Sequence, residues 1–275
     1  MKKIKAESTR RIISTVQKHY GIHVLPETVN TWKDLYLDPN KIKPESTFLH
    51  LADLKSKLTQ NLISLATTNK TYFFRMPMQL LENTIENLIN NLIAQSSKKP
   101  VFSIWSAGCS TGEEAYSIAI LLMMKEWHIK VRSNILGTDI NQQCLSIAQK
   151  GEYSWIWAEE GREENVSDRE LTKYFEINKD SYKLIPAITN AVRFRCLNIL
   201  KPEDYNNIGP RDLIIANNVF NHMFFDRAEG KQAVFSKLQS VLYQGGRVIS
   251  NSDLTGKYFE QVDEENSYKV FKRAA

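Results

Sequence analysis

The sequence has few cysteines, glycines and prolines and no long apolar run. Its three cysteines, Cys109, Cys144 and Cys196, are odd in number and lack CxxC spacing, so neither a disulfide framework nor a zinc site is expected. Eleven glycines and eight prolines exclude a fibrous or low-complexity protein. No apolar run approaches the ~18 residues of a transmembrane helix. The basic start MKKIKAESTRR lacks the apolar segment of a secretory signal, so we expect a cytoplasmic protein without membrane insertion.

The composition is that of a globular protein, but its charge is uneven. The chain has 275 residues, 42% apolar and 24% charged, enough for one large domain or two modest ones. Residues 1–75 hold 13 Lys or Arg against 6 Asp or Glu, whereas the rest holds 23 against 25. A basic first segment indicates an acidic partner (nucleic acid, an anionic membrane or an acidic protein surface) or simply a solvated helical face. The composition leaves both interpretations open.

Helical patterns dominate the first 95 residues. Apolar side chains recur every three or four positions over 46–65, beginning at Phe48, and again over 78–93, where Pro77 suits the first turn of a helix. The stretch 96–100 is polar and ends in proline, as linkers do. We therefore predict an all-α N-terminal domain over 1–75, a linker helix over 76–99 and a further domain over 100–275.

Strands alternate with helices after residue 100. The predicted strands are 101–107, 133–139, 192–197, 212–218, 246–252 and 268–273, and the predicted helices are 113–127, 141–150 and 227–243. This alternation is typical of βαβ units and predicts an α/β domain with a largely parallel sheet. The segment 151–190 interrupts it with aromatic and charged residues, including Trp155 and Trp157, and we interpret it as an inserted subdomain.

A glycine- and serine-rich turn, WSAGCSTGEE (105–114), follows the first strand and opens a helix. Such a turn lets the backbone approach a ligand beside a helix N-terminus. It matches neither the Walker loop nor the GxGxxG dinucleotide turn. Glu113 and Glu114 would repel a pyrophosphate, so the turn is better suited to a cationic or hydroxyl-bearing ligand.

Two further strand ends carry polar side chains. Asp139 ends the second strand, where related folds hydrogen-bond a ribose diol; a helix N-cap is the alternative. Asn217, Asn218 and Val219 end the fourth strand at the ligand-binding edge of the sheet. Together these ends fit S-adenosylmethionine (SAM), which presents a cation, a ribose and an adenine. No metal site is expected, because the five histidines lack paired-ligand spacing.

The motifs resemble those of the chemotaxis receptor methyltransferases, the CheR family. The segment WSAGCSTGEEAYSIAILL resembles the signature of that family, and TTNKTYFFR (67–75), GTDIN (137–141), CLNIL (196–200) and NNVF (217–220) follow its order and spacing. The resemblance covers residues 8–273. It implies a Rossmann-like class I methyltransferase domain with a small β-subdomain within 151–195, preceded by an all-α N-terminal domain. It also implies SAM as cofactor and S-adenosylhomocysteine (SAH) as product.

The resemblance also implies the site residues. Together with the turn residues Ala107 and Gly108, the predicted cofactor-binding set is Asn69, Thr71, Arg75, Ala107, Gly108, Glu114, Asp139, Asn198, Ile199, Asn218 and Val219. We also expect Arg75 to act in catalysis by holding a carboxylate of the acceptor or of the donor, with a surface arginine as the alternative. Tyr72, Phe73 and Phe74 are equally consistent with a wall of the site and with core.

Members of this family methylate glutamate side chains of receptor helices to give methyl esters. A glutamate carboxylate, with a pKa near ~4.3, is already ionised at neutral pH, so neither a general base nor a metal is required. The resemblance therefore predicts a monomeric enzyme whose partners are the cytoplasmic helices of methyl-accepting chemotaxis receptors, not nucleic acid. The alternatives are a donor-binding module without catalysis and a methyltransferase with a different acceptor.

Four features of the sequence depart from the family pattern. Ala115 replaces a proline, Asn217 replaces an arginine, and Phe224 lies where a tyrosine is usual, unless His222 supplies the missing polar group. The stretch 27–36 is not basic, although the corresponding helix of the family is arginine-rich. We expect the donor side of the site to be kept and the acceptor side to be altered, with a different acceptor or a lower activity as the possible results.

Overall fold

The computed structural model describes residues 2–37, 50–67, 69, 71–96, 98–154, 172–220 and 228–274. Within them, a group of helices precedes a seven-stranded sheet that has helices on both faces. No helix among these residues has the length and apolar character needed to cross a bilayer.

The first helices are α1 (Lys2–Tyr20), α2 (Pro26–Tyr36), α3 (Lys57–Ala66) and α4 (Met78–Ala94). The first three share an apolar cluster that includes Val16, Trp32 and Leu62. Two polar side-chain groups of this cluster find backbone acceptors: the Tyr20 hydroxyl donates to the Leu51 carbonyl (2.7 Å), and the Trp32 indole donates to the Leu58 carbonyl (2.9 Å).

The apolar periodicity over 46–65 does not form one continuous helix, because a turn near its middle interrupts it. The Asp53 carboxylate accepts the backbone N–H of Lys55 at 2.9 Å, forming a turn that interrupts the helix. Helix α3 then begins anew at Lys57. Residues 38–49, including Phe48, lie outside the described part of the chain.

The main sheet confirms the predicted α/β class. Its strands in chain order are β1 (Val101–Ala107), β2 (Arg132–Asp139), β6 (Val192–Cys196), β7 (Arg211–Ile215), β8 (Leu242–Ser250), β9 (Phe259–Glu265) and β10 (Tyr268–Arg273). Their spatial order is β6-β2-β1-β7-β8-β10-β9. The first five are parallel neighbours, while β10 runs antiparallel to both β8 and β9. This is the order of a Rossmann-like class I methyltransferase domain, and the chain crosses from one side of β1 to the other, creating a crevice at the carboxyl ends of the strands.

Helices cover both faces of the sheet. They are α5 (Glu113–Met124), α6 (Trp127–Lys130), α7 (Gln142–Lys150), α8 (Pro186–Thr189) and α9 (Ala228–Ser240), with 3-10 turns at Thr172–Tyr174 and Pro202–Asn207. Helix α5 is buried over most of its length, because α4 packs into the same apolar cluster from outside. The opposite face packs around Trp105, Leu238 and Phe271.

The predicted subdomain contains three short strands. They are β3 (Glu152–Ser154), β4 (Phe175–Ile177) and β5 (Ser181–Leu184), paired antiparallel in the order β3-β5-β4. This confirms a small β-sheet inserted between β2 and β6. Residues 155–171, with Trp155 and Trp157, lie outside the described part.

Several boundaries differ from the sequence expectation, including that of the strand predicted over 212–218, which ends at Ile215. The helix predicted to reach Trp127 ends at Met124, because Glu126 adopts a left-handed conformation (φ 55°). The helix predicted to reach 243 ends at Ser240, and the following strand starts at Leu242, four residues earlier than expected. Strand β9 was not predicted, since its sequence FEQVDEE is mostly acidic and polar.

Candidate functional site

A cavity of about 640 Å³ opens where β1, β2, β6 and β7 end and the N-terminal helices approach. This volume lies within the range of small-molecule sites. Ten of the eleven predicted cofactor-binding residues line it, namely Asn69, Thr71, Arg75, Gly108, Glu114, Asp139, Asn198, Ile199, Asn218 and Val219. Ala107 is the exception: it is buried in the core at the end of β1 and does not line the cavity.

Gly108 brings the backbone of the first turn close to the sheet. Its φ of 73° is left-handed, and a Cβ there would lie 2.4 Å from a methyl group of Val219. The backbone N–H groups of Gly108 and Cys109 donate to the carbonyl of Thr138 at 2.7 and 2.9 Å. Glycine is therefore required both by the conformation and by the space, as the sequence predicted for a close-approach turn.

Asp139 connects the first two strand ends. Its Oδ2 accepts the backbone N–H of Ser110 and its Oδ1 accepts that of Asn141, both at 2.8 Å. The N-cap alternative for Asp139 is wrong, because Asn141 caps α7 through the N–H groups of Gln143 and Cys144. Burial raises the pKa of Asp139, and the backbone donors oppose that rise. Each carboxylate oxygen retains acceptor capacity, which suits a ribose diol.

Glu114 faces the cavity and is held by neutral donors. Its Oε1 accepts the hydroxyl of Ser106 at 2.6 Å, and its Oε2 accepts the amide Nδ2 of Asn217 at 2.8 Å. Burial raises the pKa of Glu114, opposed by these hydrogen bonds and by the charge of Arg75. Since Ser106 and Asn217 are uncharged, Glu114 can still balance the charge of a cationic ligand. Sequence analysis placed Asn217 at the ligand-binding edge of the sheet and noted it as a departure from the family, but it missed the contact with Glu114.

Glu113 does not face a ligand, contrary to the expectation that both glutamates do. It is 1% exposed, and its Oε2 accepts the hydroxyl of Thr111 at 2.6 Å. Its Oε1 has no hydrogen-bond partner among the described residues. Burial raises the pKa of Glu113 to about 7. The carboxyl group of Glu113 is therefore buried beneath the glycine- and serine-rich turn.

Arg75 reaches the cavity beside the end of β7. Its Nη1 and Nη2 atoms lie 3.2 and 3.1 Å from the side-chain amide of Asn218, and both donate to the amide oxygen when that oxygen faces the guanidinium. The guanidinium carbon lies 5.5 Å from the centroid of the Tyr72 ring. Asn218 itself is fixed in a left-handed conformation (φ 55°), and its N–H donates to Oδ1 of Asn251 at 2.7 Å.

The aromatic run divides between core and cavity. Phe73 is core, with its ring edge-to-face against Tyr153 and Phe175 at 5.1 Å each. Phe74 is 2% exposed and yet lines the cavity, while Tyr72 is partly exposed beside Arg75. The two interpretations that the sequence left open therefore apply to different members of the run.

The side chain of Asn198 is occupied by protein contacts. Its Nδ2 donates to the carbonyl of His19 at 3.1 Å and its Oδ1 accepts the N–H of Leu200 at 3.0 Å. The neighbouring Ile199 is mostly buried and lines the cavity. Asn198 thus shapes the loop after β6, and Ile199 offers an apolar surface to a flat ring.

The helical region forms a wall of the cavity that sequence analysis missed. Its lining residues from α1, α2 and α3 and their connections include Tyr20, Ile22, His23, Leu25, Thr28 and Leu65. These positions form no motif, and only the folded arrangement brings them to the sheet edge. His222 and Phe224 lie in 221–227, outside the described residues.

Comparisons with known proteins indicate the same family as the sequence motifs. The sequence profile of the family described as "CheR methyltransferase, SAM binding domain" matches residues 69–267. "Chemotaxis protein methyltransferase 2" of Vibrio cholerae is 32% identical over 197 residues, covering 70% of this chain and 65% of that protein. "Chemotaxis protein methyltransferase" of Listeria innocua is 34% identical over 192 residues, covering 69% and 66%. The protein of that name from Borreliella burgdorferi is 29% identical over 233 residues, covering 81% and 79%.

The match spans slightly less than two thirds of the Vibrio and Listeria proteins. Among solved structures, the rRNA methyltransferase aviRa of Streptomyces viridochromogenes has 11% sequence identity and a TM-score of 0.41, covering 75% of this chain and 88% of that one. At that score the likeness carries no weight, and the fold assignment rests on the strand order described above.

Proposed function

Because this chain belongs to the CheR methyltransferase family, we propose that it transfers the methyl group of SAM to glutamate carboxylates of chemotaxis receptors, giving glutamate methyl esters. One observation carries the proposal. A single cavity combines a carboxylate held by neutral donors (Glu114), a carboxylate at the end of the second strand (Asp139) and a guanidinium (Arg75). These groups match the cationic, ribose and carboxylate parts of SAM.

The residues present fit this cofactor. Asp139 has acceptor capacity for the ribose hydroxyls, Glu114 for the positively charged end of the donor, and Ile199 offers an apolar contact for the adenine. When bound, SAM supplies a methyl group on a positively charged sulfur, so transfer to a carboxylate oxygen leaves a neutral thioether and moves no proton.

The protein's own part in the reaction is positioning and exclusion of water. The acceptor glutamate is ionised near neutral pH, so no residue needs to act as a general base. Arg75 can hold a carboxylate through a planar fork of two N–H donors, and Tyr72 lies against its guanidinium. Phe74 provides an apolar wall. Orientation of this kind accounts for rate by bringing the reactants into a productive geometry.

We extend the proposal to the setting of the reaction. The enzyme acts in the cytoplasm as a monomer, its partners are the cytoplasmic helices of methyl-accepting receptors, and nucleic acid is not a substrate. The helical residues 1–75, the helix-containing segment 76–99 and residues 100–275 act as the three functional parts. The basic charge of the first 75 residues supports an acidic protein partner.

The test is transfer of labelled methyl from SAM to receptor-containing membranes. We expect base-labile label, released as methanol, on receptor protein, and none on receptors whose acceptor glutamates are replaced by alanine. Calorimetry with SAM and SAH on the same preparation measures donor binding separately. Binding without labelling of any receptor would reject the enzyme proposal and favour a non-catalytic donor-binding module, while label on another acceptor class would reject the receptor assignment.

A further inference from the structure

Gln60, on helix α3, hydrogen-bonds the backbone on both sides of Asn141. Its Oε1 accepts the N–H of Gln142 at 2.8 Å, and its Nε2 donates to the carbonyl of Ile140 at 3.2 Å. We propose that Gln60 is a positioning residue for Asp139, through which the N-terminal helices set the affinity of the donor site. This inference rests on the proposed donor-binding role of the cavity.

The loop that Gln60 holds is the one that carries Asp139. Asp139 ends β2, and its Oδ1 accepts the N–H of Asn141, the residue enclosed by the two contacts of Gln60. The position of Asn141 therefore fixes one oxygen of the carboxylate. The other oxygen is fixed from the first turn by the N–H of Ser110. Without Gln60, the backbone around Asn141 would lose its hydrogen bonds to helix α3, and the contact of Ser110 with Asp139 would remain.

Gln60 is rigid enough to act in this way. It is 5% exposed, and its second amide hydrogen is used by the carbonyl of Leu54 at 2.7 Å. Both donors and the acceptor are thus engaged, which restricts the carboxamide to one orientation. The N–H of Gln142 belongs to the first residue of α7 and has no partner within its own helix, so Gln60 completes the capping begun by Asn141.

A second contact ties the same loop to the helical region. Ile140 packs against the apolar cluster formed by α1, α2 and α3, although it lies between β2 and α7. The loop bearing Asp139 is consequently braced by helices that precede the matched SAM-binding segment, which begins at residue 69. Donor affinity should therefore depend on a residue that lies outside that segment and does not line the cavity.

The test compares SAM binding by calorimetry in the full chain carrying Gln60→Met, Asp139→Ala or both. Methionine keeps the length of the side chain but removes its hydrogen bonds. We expect Gln60→Met to raise the Kd for SAM about tenfold, a factor in keeping with the loss of one or two hydrogen bonds that order the loop. In the Asp139→Ala background the same change should raise Kd less than about twofold, because coupled residues are non-additive.

Gln143→Ala is the matched control. Its side chain also joins α7 to α3, donating to Oδ1 of Asn61 at 2.9 Å, but it does not contact the backbone of the loop. It should leave Kd unchanged. Thermal melts in SAM-free buffer show whether each variant folds, and Gln60→Glu, which keeps an acceptor for Gln142, replaces Gln60→Met if that variant does not fold.

Two results would overturn the inference: an unchanged Kd in the folded Gln60 variant, or an equal loss with and without Asp139. Failure of the wild-type chain to bind SAM would instead reject the proposed donor site, so the two failures are distinguishable.

Discussion

The hydroxyl of Ser117 accepts the backbone N–H of Phe74 at 2.9 Å and donates to the carbonyl of Glu113 at 2.7 Å. Phe74 has a left-handed backbone (φ 56°), an unfavourable conformation for a bulky side chain. Arg75 follows immediately. Ser117, on the buried face of α5, therefore holds the strained residue that directs Arg75 towards the cavity.

Replacing Ser117 by alanine should weaken both the fold and the reaction. The buried N–H of Phe74 would lose its acceptor, which costs about 1–3 kcal/mol of unfolding free energy. The backbone before Arg75 would no longer be held in place, so kcat for methyl transfer should fall. Methyl-transfer kinetics and denaturant unfolding of the same variant measure the two effects. Ser146→Ala is the control, because Ser146 makes only the equivalent contact to the carbonyl four residues earlier (Gln142, 2.9 Å). Equal activity in the two variants would contradict this role for Ser117.

Arg75→Ala should reduce the rate of methyl transfer by about 10²-fold or more, since misplaced reactants lose that much. Arg75→Lys should restore little, because a point charge does not reproduce the planar fork. The melting temperature should stay near that of wild type, as the side chain lines a cavity. The exposed Arg132, at the start of β2, provides an alanine control for loss of one positive charge. A large loss of stability with normal transfer would make Arg75 a structural residue instead.

The alternation of strands and helices and the polar strand ends could be predicted from the sequence. Strand β1 is buried along nearly its whole length, so it appears as an apolar run, and the glycine-rich turn after it marks the carboxyl edge. Asp139 and Asn218 could be identified because each is a polar residue at the end of a mostly apolar stretch: Asp139 is the last residue of β2, and Asn218 lies just beyond the end of β7. The apolar strand, the turn and the polar strand ends depend on the local sequence alone, so the folded structure retains them.

Contacts between distant segments could not be predicted. Gln60 meets Gln142 across 82 positions of sequence, and nothing in the pattern of α3 distinguishes it from other polar helix residues. Glu113 and Glu114 are adjacent, but a helix turns by about 100° per residue, so one is buried and the other faces the cavity. The charge-rich β9 was missed because its side chains face solvent rather than a second layer.

Asp139→Ala should weaken donor binding by about 1–3 kcal/mol, from the loss of charge-assisted hydrogen bonds to a ribose. Because SAM and SAH share the ribose, calorimetry should give the same factor for both. Asp180→Ala, in the exposed turn between β4 and β5, removes a carboxylate that does not line the cavity and should leave both affinities unchanged. Wild-type affinity in a folded Asp139→Ala variant would remove the residue from the donor site.

Glu113 should make the stability of the protein depend on pH. Burial raises its pKa from an ordinary 4.5 to about 7, so the folded state binds this proton more tightly than the unfolded state. By linkage, the stabilising effect of the bound proton is complete below about pH 4.5 and is lost as the pH rises to about 7.

Glu113→Gln removes this titration while leaving an oxygen to accept the Thr111 hydroxyl. Relative to wild type, the variant should therefore gain up to about 3 kcal/mol of unfolding free energy between pH 4.5 and pH 8. Urea unfolding across that range measures the difference, and Glu86→Gln, exposed on α4, controls for removal of one carboxylate. Parallel stability profiles for wild type and Glu113→Gln would show that the buried carboxyl group takes up no extra proton on folding.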